Sequence, residues 1–440
     1  MKLKVLSTIA AIIATSINLQ AQTVSTFAGA GTIGFAEGQA MSAKFFGIEQ
    51  MAYDKKGNLL VCDAANHRIR KIDIKGNVTT FAGTGIAGLV NGDIAIAQFN
   101  NPLGIAVDNF NNVYVADNLN FVIRKIDIDG KVTTYAGKGE RGYNDGDGVD
   151  AKFDYLNYMC FDNEMNLYVA DPGNNVVRKI DPLKNVTTFV GNGKAEFVDG
   201  TGTSAGLSFP IAIEYDKLNN VFYVSDQGNS AIRKVLPDGT LTTYAGTGVI
   251  GHSDGAALTS KFYFPKGLAI DNTGNVYVAG RFDYTVRKID TKGIVSTVAG
   301  TPHVSGNIDG FASSVKFGKP ISVVVGKDGD LLVADWVNNA IRKIELPLTA
   351  SVNTINKNEV EMQLSPNPFN ASATITISGN KGKGPVSLSV YDVTGKEIKV
   401  KNTVSGQQII IERGDMISGI YFYKISQNNK VIGMDKLVVE

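Results

Sequence analysis

The apolar positions of this chain fall into short runs that return at a fixed interval. The clearest stretch is Val113–Gly137, VYVADNLNFVIRKIDIDGKVTTYAG, which reads as three short strands joined by two turns. Near-copies of it occur six times. The arginine of the IRK-type core stands at Arg70, Arg124, Arg178, Arg233, Arg287 and Arg342, in steps of 54 or 55 residues. An aspartate precedes that arginine by seven residues in five copies, at Asp63, Asp117, Asp171, Asp226 and Asp335, and Gly280 takes its place in the remaining one. A constant period of this length, filled with strand-like runs, marks a repeat architecture built from β-structure.

One unit runs from Gly83 to Gly137. A long loop ending at Pro102 leads into predicted strands Leu103–Val107, Val113–Ala116, Val122–Ile126 and Val132–Ala136, four antiparallel strands per unit. The second strand (LLVCD, VYVAD, LYVAD, FYVSD, VYVAG, LLVAD) is apolar at nearly every position, so it is covered on both faces. The fourth (VTTFAG, VTTYAG, LTTYAG) carries a polar threonine pair and suits a more exposed edge. Sheets buried on both faces must stack, and stacking them around an axis leaves no long open edge. The prediction is an all-β chain: a six-bladed β-propeller over residues 22–346, followed by a small β-sandwich. The fourth-strand phrase also occurs at Phe27, before any arginine core, and is missing after the last one; the strand at 24–29 is therefore expected to close the ring as the outer strand of the sixth blade.

The ends read differently. Residues 1–21 combine Lys2 and Lys4 with an apolar run too short to span a bilayer, the pattern of a signal peptide. No other stretch approaches the length of a transmembrane helix, so no transmembrane segment is expected. Residues 347–363 form a polar linker, and 364–440 alternate apolar and polar positions between Asn/Gly turns, as a sandwich does.

Charge is nearly balanced, 43 Lys+Arg against 42 Asp+Glu, which removes the net-charge argument for nucleic acid. Cys62 and Cys160 are too few for a disulfide framework and read as buried thiols.

The propeller resembles the NHL-repeat family, through Asp-x-x-Asn-x-x-Ile-Arg-Lys-Ile in its copies; Asp63–Arg70, DAANHRIR, stands nearest the name-giving motif. That family includes binding platforms, sensors and a lyase, so the resemblance implies the fold more than the function. The C-terminal segment looks like the type A sorting domain of the Bacteroidetes type IX secretion system, through Ser365–Phe369 (SPNPF), Val390–Lys396 (VYDVTGK), Gly419–Tyr421 and Lys436–Val439. The resemblance implies recognition of residues 364–440 by that secretion machinery, and secretion or attachment to the outer cell surface.

A residue repeated in every blade serves the blade, so the aspartates and arginines read as scaffold, and function is sought where the symmetry fails. Blade five replaces its turn by Gly280-Arg281-Phe282-Asp283-Tyr284, and Trp336, the only tryptophan, opens the same turn in blade six. Phe121 and His67 occupy the matching turns of blades two and one. These residues, Arg281, Phe282, Asp283, Tyr284, Trp336, Phe121 and His67, form a candidate rim site for an extracellular carbohydrate or protein. The alternative is an enzyme at the axial mouth, where Glu49, Asn157, Tyr158 and Lys266 gather. A Glu and an Asn there resemble the metal site of gluconolactonase-like propellers, but Ile211 stands where a further carboxylate is needed and Lys266 would repel a cation. His67, His252 and His303 lack zinc-ligand spacing, and Asp145-Gly146-Asp147-Gly148 lacks the closing Glu of a calcium loop. No metal or cofactor is expected.

Overall fold

The computed structural model describes residues 22–346, 361–378, 386–392, 397–427 and 430–440. The signal-peptide segment, most of the linker reading and Val393–Lys396 of the VYDVTGK motif lie outside the described residues. The chain divides into two compact units after Pro347.

The first unit is a six-bladed propeller. Blade two shows the plan: Pro102–Val107 lies innermost, then Val113–Asp117, Val122–Ile126 and Lys131–Ala136, each antiparallel to the last. A fifth strand was not foreseen. Gly92–Asp93, from the long loop, pairs with Lys131–Ala136, and every blade repeats it, so each sheet has five strands rather than four. The second strand is buried at all positions in every blade, with neighbouring sheets on both faces. Thr23–Ala28 pairs with Ala340–Glu345, and Gly310–Phe311 pairs with its outer edge, so the two ends of the ring meet within one sheet.

The repeated residues hold each blade to its own loop. All six arginines are fully buried. Arg124 Nη1 donates to Asp117 Oδ2 (2.9 Å) and to the Gln98 carbonyl (2.8 Å), while Nη2 donates to the Val90 carbonyl (2.8 Å). The loop phenylalanines Phe45, Phe99, Phe153, Phe262 and Phe317 sit 5.0–5.5 Å from the guanidinium carbons. The glycine ending each fourth strand is also required. Gly29, Gly83, Gly137, Gly191, Gly246 and Gly300 have φ between 99° and 111°, and a Cβ at any of them would meet the backbone carbonyl of the turn before strand three. Cys62 and Cys160 are free and buried.

The second unit has two four-stranded sheets, ordered 361–365, 372–378, 408–412, 402–405 and 397–398, 386–391, 419–427, 430–439. They share a core that includes Ile375, Ile409, Tyr423 and Leu437. The SPNPF motif docks on the terminal KLVV strand: Asn367 Oδ1 accepts from the Val438 N–H (2.8 Å), the Phe369 N–H donates to the Val438 carbonyl (3.0 Å), and the Phe369 ring is buried.

Candidate functional site

Three rings of residues build one end of the propeller axis. The innermost strands begin there and contribute Glu49, Leu103, Asn157, Ile211, Lys266 and Ile321. Two positions earlier the chain turns inward through Gly47, Asn101, Tyr155, Phe209 and Phe264, all at φ between 49° and 73°. The turn after strand two adds Ala64, Asn118, Pro172, Gln227, Arg281 and Trp336. Members of all three rings enclose a pocket of about 210 Å³, with Glu49 and Lys266 at its base and Tyr155, Phe209, Arg281 and Trp336 around it. Its aromatic side chains are part-exposed: Phe46 and Tyr155 at 40%, Phe209 at 37% and Trp336 at 36%.

The base is an ion pair. Lys266 Nζ donates to Glu49 Oε2 at 2.6 Å, with both side chains under 10% exposed. The Tyr158 hydroxyl lies 3.2 Å from the same oxygen and 3.2 Å from the Ile321 carbonyl, one proton between two acceptors. Burial holds the Lys266 ammonium below its ordinary pKa, with Glu49 acting in the opposite direction. Glu49 is therefore already neutralised, and Ile211 and Lys266 fill the columns where a metal site would place further ligands. Among the described residues no three His, Cys, Asp or Glu side chains converge to hold a metal. Breaking this pair from one side should be costly. Glu49→Gln is expected to lose about 3–5 kcal/mol of unfolding free energy, since Lys266 is left buried and uncompensated. Glu49→Gln with Lys266→Met should recover most of that loss in urea denaturation; additive losses would show that the two side chains are not coupled.

The structure brings Arg281 and Trp336 into the mouth together with Glu49 and Lys266. Lys319 does not line the pocket but stands beside it, its Nζ 5.0 Å from the Phe282 ring and 5.8 Å from Trp336. Phe282 packs behind the mouth against Tyr263 (5.7 Å) and Phe264 (5.5 Å), with the Arg281 guanidinium 5.0 Å from its ring.

Besides Phe282, four of the expected rim residues have other roles or places. Asp283 is fully buried, and its carboxylate fills the volume that a side chain at Gly280 would occupy. It stands 3.0 Å from His252 Nδ1 and 3.7 Å from Arg287 Nη1, so it faces the blade-five arginine as the repeated aspartate does elsewhere, but at ion-pair rather than hydrogen-bond distance. His67, Phe121 and Tyr284 are the left-handed residues that end the same turn (φ 51°, 55° and 60°), and none lines the pocket. His67 Nδ1 accepts the Asn101 N–H at 3.1 Å, as Asn175 Oδ1 accepts the Phe209 N–H at 2.9 Å, so His67 fastens blade one to blade two. Burial, then Arg68, keeps its imidazole below the usual pKa. Asn157 is 1% exposed beneath the mouth, and its Oδ1 makes no hydrogen bond among the described residues. Phe46, Tyr155 and Phe209 in the lining, and Lys319 beside it, were missed. Aligning the residues before the first-strand prolines, Phe209-Pro210 and Lys319-Pro320 among them, is the signal that would have found most of them.

Residues 363–440 match the secretion system C-terminal sorting domain. Over 319 residues, 68% of its length, the chain is 30% identical to protein SUPPRESSOR OF QUENCHING 1, chloroplastic, of Arabidopsis thaliana, of which it spans 30%. It is 27% identical over 335 residues to NHL repeat-containing protein 2 of Gallus gallus, spanning 46% of that protein. The chain thus spans less than half the length of these curated relatives. Among solved structures it is similar to a protein of unknown function from Bacteroides thetaiotaomicron (TM-score 0.58, 25% identity, 74% of this chain and 76% of that one). An auxiliary nutrient binding protein from the same organism shares the fold with the same TM-score and coverage at 17% identity. No helix of the described residues is long and apolar enough to cross a membrane. The sorting domain makes this a secreted or outer-surface protein. With its six motif copies in one ring and NHL-repeat relatives across the propeller, the chain is an NHL-repeat β-propeller carrying a type IX secretion sorting domain at its C-terminus.

Proposed function

We propose that the propeller is an extracellular binding module whose ligand, a carbohydrate, seats one ring in the mouth pocket. A single juxtaposition carries this reading: part-exposed Trp336, Tyr155 and Phe209 surround a base whose only charges cancel, with Arg281 at the same wall. Aromatic faces give a sugar ring apolar area to cover, and a guanidinium without a carboxylate partner among the described residues gives its oxygens a donor. A pocket of about 210 Å³ holds one ring or one amino-acid side chain, not a folded surface. The neutralised Glu49 speaks against a metal-dependent lactonase at the same place.

A glycan and peptide array probed with the protein tests the reading. Binding should fall at least about tenfold on Trp336→Ala or Arg281→Ala, the size expected for an anchor residue. Both side chains are peripheral to the fold, so the melting temperature should hardly move. Glycan binding indifferent to both substitutions would place the ligand elsewhere, and binding of peptides alone would replace the carbohydrate.

A further inference from the structure

The axial channel is blocked at mid-height. Tyr158, 2% exposed, reaches from blade three to the Ile321 carbonyl of blade six. Beside it Gln50 joins three blades: its Oε1 accepts the Ile105 N–H (2.8 Å) and the Met159 N–H (3.1 Å), and its Nε2 donates to the Met159 carbonyl (3.1 Å). Past this plug, the opposite end of the channel opens into a second chamber of about 400 Å³, lined by the far halves of the innermost strands.

One position in this chamber breaks the symmetry. Five blades place Ala52, Ala106, Cys160, Ala269 and Val324 at the fourth residue of the inner column, and blade four places Glu214 there. Among the described residues no hydrogen bond or opposite charge acts on that carboxyl. Desolvation by the chamber walls alone raises it to about 8, although the side chain is part-exposed. The other titratable groups around the chamber are occupied or neutral. Asp162 accepts from the Asn166 and Tyr168 side chains, and the Tyr215 hydroxyl donates to Asn220. Burial pushes the Cys160 thiol and the Tyr53 hydroxyl up, and Lys217 stands exposed at the outer wall. A half-buried carboxyl among apolar walls, without a partner among the described residues, is unfavourable, and an incoming ammonium would supply both a charge and up to three donors. The walls suit the rest of such a molecule: Met51, Met159 and Met165 are pliable apolar surfaces beside Phe161 and Leu268.

We propose that this lower chamber is a ligand site for a small primary ammonium ion bearing an apolar body, with Glu214 as its counter-ion. It is separate from the mouth and does not depend on what the mouth binds. Docking of the cation should favour the ionised carboxylate and so displace a proton from Glu214. Isothermal titration of the whole protein with phenethylammonium, 2-phenylethanol and phenylacetate tests this. The cation should bind saturably and release about one proton, read from buffers of different ionisation enthalpy. The alcohol and the carboxylate, equal in apolar body, should bind at least about tenfold more weakly. Glu214→Gln should fold with an equal or higher melting temperature and lose the cation preference, whereas Trp336→Ala should leave it intact. Absence of saturable binding, equal binding of the alcohol, or undiminished binding to Glu214→Gln would each overturn the proposal.

Discussion

A chain lacking residues 22–29 is expected to melt about 10 °C or more below the intact protein, at roughly 2–4 °C per kcal/mol for a domain of this size or somewhat smaller. Thr23–Ala28 is the fourth strand of the last blade, and its partners lie at the other end of the propeller sequence. It pairs with Ala340–Glu345 on one side and Gly310–Phe311 on the other. The Thr26 N–H and hydroxyl both donate to Asp309 Oδ2, at 3.0 and 2.9 Å, and Asp309 in turn holds Arg342. Beyond the strand, the Gly29 and Ala30 N–H groups donate to the Ala40 and Ala43 carbonyls, each at 2.8 Å, carrying the seam into blade one. Deletion exposes the third strand of blade six, strips Val24 and Ala28 from their cores and strands the Arg342 cluster. Several lost hydrogen bonds at about 1 kcal/mol each, with a buried valine worth about 1.5–3 kcal/mol, give the expected size. Circular dichroism melts of the two proteins make the measurement. Equal melting temperatures would mean that the ring does not depend on this strand.

The blades were legible because their information is periodic. Arg124 and its five counterparts mark one register, and a strand such as VYVAD is apolar throughout because two neighbouring sheets cover it. The fifth strand was not legible. Two residues such as Gly92-Asp93 carry no alternation, and they become a strand only because Arg124, bonded to the Val90 carbonyl and Asn91, folds the loop back against the sheet. Blade five shows the converse limit. Gly280 looked like a loss of the repeated aspartate, but the change of Asp-x-x-Asn to Gly-x-x-Asp moves the carboxylate three residues along, and Asp283 fills the space from there. Within the mouth, the axial column was readable by alignment, whereas the Glu49–Lys266 contact joins residues 217 apart across the axis and leaves no local trace. Trp336 and Arg281 were found because they are exceptions; Tyr155 and Phe209 were passed over because their column had not been aligned. Glu214 was passed over although it too is an exception, since a lone carboxyl in a strand reads as an outward-facing residue until the channel is in view.

Arg124→Met should be among the most damaging single substitutions in the propeller, and its cost should grow with pH. Among the described residues the guanidinium is the only cation against a fully buried Asp117, and it also serves the Gln98 and Val90 carbonyls and the Asn91 side chain. Methionine keeps the volume and the contact with Phe99 but supplies no donor. Taking one partner from a buried ion pair costs about 3–5 kcal/mol. Burial, outweighing the Asn100 N–H, Asn120 and Arg124, already raises the Asp117 carboxyl to about 6. Its folded pKa thus exceeds the unfolded value of about 4, so the folded state binds more protons between them and this residue's contribution falls as pH rises through that window. Without Arg124 the folded pKa climbs further, the window extends upward, and the variant loses ground to the wild type from pH 5 to pH 8. Urea denaturation of both proteins at the two pH values reads the difference. A deficit that is equal at pH 5 and pH 8, or that stays below about 1 kcal/mol at both, would show that the repeated Asp–Arg pair is not what holds each long loop to its blade.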